Sequence, residues 1–338
     1  MTRVIALAAA LLLTACTPML VQQPLTPAAS FAGPHLEDEW VVSFDGARLG
    51  LKHWDPPGQP WAVIVGVHGM NDYSQAFHLA APWWAGQGIA TYAYDQRGFG
   101  HSPDRGVWAG DALMVEDLRT VTALVRAKYP QAIVAVAGES MGGAVAAEAF
   151  ASERPPAAER LILLSPAVWG WREQPLPNKT LLWFAANFTA GRIYRPPRWL
   201  TSKITPTDNR AELIAMGHDP LMIWGARSDT LYGLVSTMER ASDLMGQARA
   251  PTLYLHGAKD EIIPKAAARR AASRLKSSDR SAEYAHGYHL LMRDKQGPVV
   301  WADVESFLRD PTAQLPSGAP PIPGSPAKGA RSAAAAGL

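Results

Sequence analysis

The 338-residue chain has a single cysteine, so no disulfide can form within it. It has no apolar run of the roughly 20 residues that a membrane-spanning helix needs. Lys and Arg number 32 against 30 Asp and Glu, and the basic residues form no stripe interleaved with aromatic residues, which argues against nucleic acid as a partner. The sequence also lacks clusters with metal-ligand spacing, a GxGxxG motif after a first strand and a phosphate-binding loop, so we predict no metal and no cofactor.

What the chain does contain is enough apolar sequence for one large core. Apolar residues make up 48% of the sequence and charged residues 18%, which is typical of a globular protein with room for a small accessory domain. Residues 16–37 include four prolines and are predicted to be an extended tether. Residues 311–338 are rich in Pro, Gly, Ser and Ala and offer almost nothing to bury, so we expect a disordered tail.

The N-terminal residues 1–15 are predicted to be a signal peptide. Arg3 precedes an apolar stretch, Val4 to Leu13, whose length suits a signal-peptide core rather than a transmembrane helix. The stretch ends in Leu13-Thr14-Ala15-Cys16, which resembles the lipobox of bacterial lipoproteins, in which the cysteine is acylated and becomes the new N-terminus. We therefore expect lipidated Cys16 to hold the protein at the bacterial cell envelope, or, alternatively, an ordinary secretory signal that contains a cysteine by chance. Thr17 is not the aspartate that retains lipoproteins in the inner membrane, which favours the outer membrane, facing the periplasm.

Short apolar runs alternate with helical patterns through the middle of the chain. The first two runs flank Asp45-Gly46, a pair typical of a hairpin turn, and the helical periodicity that follows Asp111 as a predicted N-cap continues until Pro130. The predicted strands are Trp40–Phe44, Leu49–Trp54, Val63–Val67, Ala90–Tyr94, Ile133–Ala137, Leu161–Leu164, Thr252–Leu255 and Ala282–Tyr284. This alternation predicts an α/β fold with a mostly parallel eight-stranded sheet and helices on both faces. In such sheets the chemistry lies at the carboxyl ends of the strands.

A tight Gly-rich turn follows the fifth predicted strand. Gly138-Glu139-Ser140-Met141-Gly142 lies directly between the apolar run Ile133 to Ala137 and the small-residue stretch Gly143 to Ala147. A serine between a buried strand and a helix, with glycines two residues before and after it, is the pattern of a nucleophile elbow, in which a strained turn exposes the hydroxyl. We therefore predict that Ser140 is a catalytic nucleophile. The alternative is an ordinary Gly-rich turn.

A serine hydroxyl is a weak nucleophile at neutral pH and needs a histidine base, which a carboxylate orients. Both residue types follow Ser140 in the order serine, acid, histidine. Asp260, in the loop after the predicted strand Thr252–Leu255, is the predicted acid, and His289, after the last predicted strand, is the predicted base. The alternatives are Glu261 and Asp229 for the acid and His286 for the base.

Two backbone amides are needed to stabilise the tetrahedral oxyanion, each worth about 3 to 4 kcal/mol in the acylation barrier. The first predicted donor is Met141, the residue after the nucleophile and the first of its helix. The second is Met70, in the turn Val67-His68-Gly69-Met70-Asn71, where the glycine permits a close approach. We expect structural roles for His68, which shapes this turn, and for the Gly-rich loop Asp95 to Ser102.

The interval from Val168 to Arg227 interrupts the alternation of strands and helices. It holds five of the twelve tryptophans together with many large aliphatic side chains. One interpretation is a second small core, and the other is a helical cap whose inner face binds an apolar substrate; aromatic residues can serve both roles. The predicted substrate-binding residues are Trp169, Trp183, Met216, Leu221 and Trp224. The cap is then residues 168–227, inserted between core segments 38–167 and 228–310.

Taken together, five segments resemble the α/β-hydrolase superfamily: the His68-Gly69 turn, the Asp95 to Ser102 loop, the Gly138 to Gly142 elbow, the His256 to Asp260 segment and Tyr288-His289. They are most similar to its monoacylglycerol lipase and lysophospholipase branch, which is grouped with serine aminopeptidase-like hydrolases. The resemblance covers about residues 40–308. It implies that Ser140, Asp260 and His289 form a catalytic triad, that the Met70 and Met141 amides form the oxyanion hole, and that the cap admits a single acyl chain.

The same resemblance implies the reaction. Together with the predicted lipid anchor and the apolar cap, the resemblance points to a membrane-tethered serine esterase, which cleaves one acyl chain from a monoacylglycerol or a lysophospholipid through an acyl-enzyme. A peptide or a small non-lipid ester is the alternative substrate, and a surface lipoprotein without enzymatic activity is the alternative of a different class. Two features depart from the pattern of the branch: Glu139 precedes the nucleophile, where many relatives carry His, and the lipobox is present although many members are soluble.

Overall fold

The computed structural model describes residues 18–195, 199 and 204–326. The strands in these ranges are β1 (His35–Leu36), β2 (Trp40–Val42), β3 (Arg48–Trp54), β4 (Ala62–Val67), β5 (Ile89–Tyr94), β6 (Ile133–Glu139), β7 (Arg160–Leu164), β8 (Ile193–Tyr194), β9 (Ala226–Arg227), β10 (Thr252–Gly257) and β11 (Arg280–Tyr284). The α-helices in the same ranges are α1 (Ala80–Gly86), α2 (Asp111–Lys128), α3 (Met141–Ala151), α4 (Leu176–Phe188), α5 (Arg210–His218), α6 (Ser228–Leu244), α7 (Lys265–Ala272) and α8 (Gly297–Arg309).

The larger of two sheets has nine strands in the order β1-β2-β3-β5-β4-β6-β7-β10-β11. Along this order, each neighbouring pair from β5 to β11 is parallel. In contrast, β1, β2 and β3 pair antiparallel with one another, and β3 pairs antiparallel with β5. The predicted mostly parallel sheet is therefore confirmed, with one strand more than the eight expected. The additional strand is β1, which lies within the predicted tether. Two residues directly after Pro34 show no alternating pattern from which a strand can be predicted.

Side chains of the central strands alternate between two cores on opposite faces of the sheet. Val63 and Val65 of β4 pack on the face covered by α2, α3, α6 and α7, while Ile64 packs on the face covered by α1 and α8. Because β4 to β6 are covered on both faces, their sequences are nearly continuous apolar runs. Burial of each large aliphatic side chain contributes about 1.5 to 3 kcal/mol, so the double core holds the strand ends in place.

The predicted start of α2 needs a small correction. Gly110, with a φ of 80°, occupies the N-cap position, and Asp111 is the first helical residue. The carboxylate of Asp111 lies 2.7 Å from the guanidinium of Arg240 instead of capping the helix. The helix ends at Lys128, two residues before Pro130.

Between β7 and α6 the described residues include α4, α5 and a small antiparallel sheet in which β8 pairs with β9. α4 packs against α6, where the rings of Trp171 and Tyr232 lie 4.8 Å apart. Three aromatic side chains of α4, Trp183, Phe184 and Phe188, contact one another and remain about half exposed. This part of the chain therefore carries an apolar surface of its own.

The described part of the predicted tether lies against the fold rather than free of it. The amide of Gln22 donates to the carbonyl of Trp108 at 2.9 Å, and the amide of Leu25 donates to Asp45 at 2.8 Å. Proline-rich composition indicates an extended chain, but it does not reveal which distant acceptors that chain will meet. Residues 1–17, including the predicted lipidation site Cys16, lie outside the described residues. No helix within the described ranges is both long enough and apolar enough to span a membrane.

The predicted disorder of the tail is wrong for residues 311–326. Leu315 and Ile322 are buried in the two cores, and the amide of Glu283 on β11 donates to the carbonyl of Pro320 at 2.8 Å. β11 is an edge strand, so its unpaired backbone groups can form hydrogen bonds with the tail. Burial of two apolar side chains of the tail adds to this contact. Residues 327–338 of the predicted tail lie outside the described residues.

Candidate active site

The turn at Ser140 connects β6 to α3 and has a strained backbone. Ser140 has a φ of 52° and a ψ of −116°, a conformation that costs a non-glycine residue about 1 to 3 kcal/mol. Its amide donates to the carbonyl of Leu164 at 3.0 Å, which holds the turn against the end of β7. A Cβ atom on Gly142 would overlap the carbonyl oxygen of Val67, so only glycine lets α3 start this close to the end of β4. The strand, the sharp turn and the helix are thus the arrangement that the elbow motif predicts.

His289 and Asp260 form a buried hydrogen-bonded pair. The Nδ1 atom of His289 lies 2.8 Å from Oδ2 of Asp260, and the two residues are 3% and 4% exposed. The other carboxylate oxygen of Asp260 accepts hydrogen bonds from the amides of Ile262 and Ile263, which fixes the carboxylate. An ionised carboxylate can only accept, so Nδ1 carries the proton and Nε2 is left as the acceptor. This is the tautomer that a general base requires.

The pair shifts the pKa values of both groups. Burial lowers the pKa of His289, but the charge and hydrogen bond of Asp260, together with the charge of Glu139, outweigh it and raise that pKa above its usual value. Burial raises the pKa of Asp260, but His289 and the backbone amide of Ile263 outweigh it and lower that pKa. The environment therefore stabilises an imidazolium next to a carboxylate, the charge state that forms during serine catalysis.

The alternative acid and base residues lie elsewhere. Glu261 is exposed and accepts a hydrogen bond from the amide of Thr205 at 2.8 Å. Asp229 forms an ion pair with Arg227 at 2.6 Å, and His286 is exposed. The hydrogen bond to His289 is made by Asp260 and by neither of the other carboxylates.

A second histidine, His256, lies beside the pair without joining it. Its Nδ1 is 3.9 Å from Asp260 Oδ2, and neither ring nitrogen has a hydrogen-bond partner within the described ranges. Burial lowers the pKa of His256 to about 4, so this ring is neutral at physiological pH. It therefore packs against the carboxylate and does not compete for its charge.

The two predicted oxyanion donors belong to segments that lie next to Ser140. Met141 is the first residue of α3, and the turn that contains Met70 approaches Ser140 so closely that a Cβ atom on Gly69 would lie 3.2 Å from the serine Cβ. Neither the Met70 amide nor the Met141 amide donates a hydrogen bond in the part of the chain that the structure describes. Both amides are thus available to a ligand atom at the nucleophile.

The turn is held from behind by His68. Its Nε2 accepts the Gln96 amide at 2.9 Å, and its Nδ1 donates to the Gly69 carbonyl at 2.7 Å. Burial lowers the pKa of His68 and keeps the ring neutral, as both hydrogen bonds require. The following loop is likewise tied down, since Asp95 accepts the Ser74 amide at 2.8 Å and the His101 amide at 2.9 Å. These contacts agree with the structural roles expected for His68 and for the loop.

The sheet brings the predicted triad residues to one edge. Ser140, Asp260 and His289 follow the carboxyl ends of β6, β10 and β11, which belong to the parallel part of the sheet. Ser140 and His289 are both among the described residues, and the serine hydroxyl makes no hydrogen bond to the histidine. Such contacts commonly tighten only when substrate is bound.

A buried cluster of charges beneath Ser140 was not predicted. The guanidinium of Arg293 lies 2.6 Å from Asp72 and 2.8 Å from Glu139, and all three side chains are almost completely buried. The unusual glutamate before the nucleophile was the one signal for this cluster in the sequence. Its partner could not be identified, because Arg293 is 154 positions further along the chain.

Three of the predicted substrate-binding residues, Trp183, Met216 and Trp224, lie in different surroundings. An open cavity of about 340 Å³ between α4 and α6 is lined by Trp171, Lys179, Thr180, Trp183, Phe184 and Tyr232, which includes one of the five predicted residues. Met216 instead contacts the guanidinium of Arg293 at 3.8 Å, and Trp224 is 56% exposed. Composition identified an apolar segment, but apolar residues all round a short helix do not indicate which of them face the site.

Within the described ranges, no group of three or more His, Cys, Asp or Glu side chains could hold a metal ion. At this end of the sheet lie a serine, a hydrogen-bonded histidine–aspartate pair and two amides that donate no hydrogen bond to the described residues. This set is sufficient for acyl transfer by the protein's own groups.

Comparison with known proteins gives the family. A family model described as serine aminopeptidase, S33, matches residues 58–296. Monoglyceride lipase from Mus musculus is 27% identical over 299 residues, which are 85% of this chain and 95% of that protein. Monoacylglycerol lipase from Mycolicibacterium smegmatis is 27% identical over 276 residues, which are 78% of this chain and 93% of that protein.

A crystal structure of a soluble variant of monoglyceride lipase from Saccharomyces cerevisiae, in complex with a substrate analog, has the same fold. It superposes with a TM-score of 0.67 at 18% identity and covers 86% of this chain and 100% of that one. Since the family model spans more than two thirds of the chain, this protein has the α/β-hydrolase fold and belongs to the serine aminopeptidase, S33, family.

Proposed function

We propose that this protein is a serine hydrolase that cleaves the carboxylic ester of a single-acyl lipid, with a monoacylglycerol as the favoured substrate. The observation that carries the proposal is the buried hydrogen bond of 2.8 Å between His289 and Asp260, at the same sheet edge as the strained Ser140. In the proposed site Ser140 is the nucleophile, His289 the general base and Asp260 the orienting carboxylate.

The proposed reaction proceeds through an acyl-enzyme. His289 Nε2 takes the proton of Ser140 as the serine oxygen bonds to the ester carbonyl carbon, and the amides of Met70 and Met141 stabilise the resulting oxyanion. Collapse of this intermediate breaks the ester C–O bond, and the leaving alcohol takes the proton from His289. A water molecule, deprotonated by the same histidine, then releases the fatty acid and restores the serine hydroxyl.

The choice of a lipid ester has two supports. The relatives described above are named monoglyceride or monoacylglycerol lipase and align with most of this chain. The cavity beside α4 is lined mainly by aromatic rings, a surface suited to one acyl chain rather than to a charged peptide terminus. A lysophospholipid shares the same acyl chain and differs in the head group. Because the family is described as serine aminopeptidase, S33, a peptide is the second candidate substrate.

Substrate class is tested with the full chain in detergent. We expect kcat/KM for medium- and long-chain p-nitrophenyl esters to exceed that for aminoacyl p-nitroanilides at least ~100-fold, because the proposed site gains binding energy from an acyl chain and not from a charged aminoacyl group. Monoacylglycerol and lysophosphatidylcholine, compared in the same preparation by fatty-acid release, then identify the head group. A preference for the anilides would overturn the lipid assignment and favour a peptidase.

We further propose that lipidated Cys16 anchors the enzyme in the outer membrane of a bacterial cell, facing the periplasm. Several acyl chains on one residue anchor firmly, since each buried methylene contributes about 0.8 kcal/mol. We expect the wild-type protein to incorporate labelled palmitate in cells and to sediment with outer-membrane vesicles, and Cys16→Ala to incorporate none. Thr17→Ala, which keeps the cysteine, is the matched control. Equal labelling of wild type and Cys16→Ala would contradict the anchor.

A further inference from the structure

Arg293 connects three segments that the proposed chemistry depends on. It lies four residues after His289, and its Nη2 contacts Asp72 at 2.6 Å and Glu139 at 2.8 Å. Glu139 directly precedes the nucleophile, and Asp72 is two residues after the oxyanion donor Met70. One guanidinium thus joins the loop of the base, the elbow and the oxyanion turn.

Stability alone does not explain this cluster. Arg293 and Glu139 are almost completely buried, yet Arg293 Nε and Glu139 Oε1 have no hydrogen-bond partner among the described residues. Removing charges from water is costly, and buried ion pairs can often be replaced by apolar side chains without loss of stability. A partly satisfied charge cluster directly beneath a nucleophile therefore suggests a role in geometry.

The same guanidinium also contacts the cap. Nη1 of Arg293 lies 3.9 Å from Glu212 and 3.8 Å from the sulfur of Met216, both on α5. Glu212 in turn lies 3.3 Å from Nε2 of His78, next to the 3₁₀ turn that follows the oxyanion turn. α5 is therefore held to the catalytic core by charged contacts at its inner side.

The chain after α5 binds the oxyanion turn directly. The hydroxyl of Tyr73 donates to Asp219 at 2.6 Å, and the amide of Ile223 donates to the carbonyl of Asn71 at 3.0 Å. Asn71 has a φ of 66°, in the left-handed region that asparagine adopts more readily than most other non-glycine residues. The segment after α5 and the oxyanion turn are thus linked by contacts in addition to those that Arg293 makes.

We propose that Arg293 is a positioning residue, which holds the elbow and the oxyanion turn in register and couples both to the seating of α5. This inference rests on the proposed ester hydrolysis at Ser140. A guanidinium is a rigid planar fork that fixes two carboxylates relative to each other, whereas a lysine ammonium is a point charge on a flexible stem. A displacement of the donors by about 1 Å is enough to lower a rate about 100-fold.

Arg293→Lys is the test, because it keeps the charge and removes the fork. We expect kcat for a p-nitrophenyl ester to fall at least about tenfold while KM stays within about twofold, since Arg293 acts on the transition-state geometry rather than on acyl-chain binding. The matched control is Arg97→Lys. Arg97 is equally buried and lies 2.7 Å from both Asp45 and Asp117, and it contacts none of the residues assigned to the reaction.

We expect a lower Tm in both lysine variants. The kcat of the folded fraction then distinguishes an effect on the site from a loss of stability. An unchanged kcat in Arg293→Lys, or an equal fall in both variants, overturns the inference. If Arg293→Lys does not fold, Glu212→Gln tests the link to α5, with Glu173→Gln, whose carboxylate pairs with Arg270 at 2.8 Å, as its control. We expect a fall in kcat of about threefold for Glu212→Gln alone. No difference between these two glutamine variants also overturns the inference, whereas an inactive wild-type protein contradicts the proposed function instead.

Discussion

Ser140→Ala is expected to lower kcat for ester hydrolysis by about 10⁵- to 10⁶-fold, because it removes the hydroxyl that is proposed to form the acyl-enzyme. The residual rate would come from the oxyanion amides and from substrate binding alone. Alanine keeps the Cβ atom and the strained φ of 52°, so the free energy of unfolding is expected to change by less than about 1 kcal/mol. Steady-state hydrolysis and labelling by a fluorophosphonate probe, both on the purified protein, measure the effect.

Ser165→Ala is the matched control for this substitution. Ser165 also follows a parallel strand, β7, and also has a positive φ, of 42°, but its hydroxyl is buried without a hydrogen-bond partner in the described structure. Its replacement is expected to leave kcat and probe labelling within about twofold of wild type. Equal labelling of wild type and Ser140→Ala, or loss of labelling in Ser165→Ala, would remove Ser140 from the nucleophile role. Failure of the wild-type protein to label at all would instead favour the alternative of a surface lipoprotein that uses the fold only for binding.

The parts of the site that could be predicted are those that depend on residues close together in sequence. The elbow depends on glycines within two residues of Ser140, and Gly142 is required by the approach of α3 to the end of β4. Asp260 and His289 could be chosen because each lies in the loop that follows a predicted strand, β10 for the acid and β11 for the base. Parallel strands bring their carboxyl ends to one edge, so local patterns were sufficient to bring distant residues together.

Arg293 could not be predicted, because its role depends on contacts between segments that are far apart in sequence. A lone arginine in a loop is usually a solvated surface charge, and only the fold places it beneath Glu139. The same limit applies to the tail, where the burial of Leu315 and Ile322 depends on the free edge of β11 and on the two cores. It applies to the cap as well, because composition does not determine which side chains of α4 pack and which remain exposed.

Asp260→Asn is expected to lower kcat/KM by about 10³- to 10⁴-fold while the fold is kept. The aspartate holds Nδ1 of His289 as the donor at 2.8 Å, so that Nε2 can accept the serine proton. An asparagine can present its amide group to Nδ1, which then becomes the acceptor and leaves the proton on Nε2. The imidazole would be close to the serine but in the wrong tautomer to act as a base.

The pH profile of the same variant has a definite sign. The reaction needs neutral His289, so kcat/KM falls as the pH drops through the pKa of this histidine in the free enzyme. Burial lowers that pKa, and the charge of Asp260 is the largest opposing effect, which leaves the wild-type pKa raised above its usual value of 6.5. Once the charge is removed, burial and the positive charge of Arg293 prevail over Glu139, and the acid limb of the residual activity is expected to move to lower pH.

Glu261→Gln separates this prediction from a general effect of losing a carboxylate in the loop. Glu261 is adjacent in sequence but exposed and bonded to the Thr205 amide, so we expect its rate within about twofold of wild type and an unshifted acid limb. A large loss in Glu261→Gln with little loss in Asp260→Asn would transfer the orienting role to Glu261. An acid limb that moves to higher pH in Asp260→Asn would show that the aspartate does not stabilise the imidazolium, since removal of a stabilising negative charge cannot raise the pKa of His289.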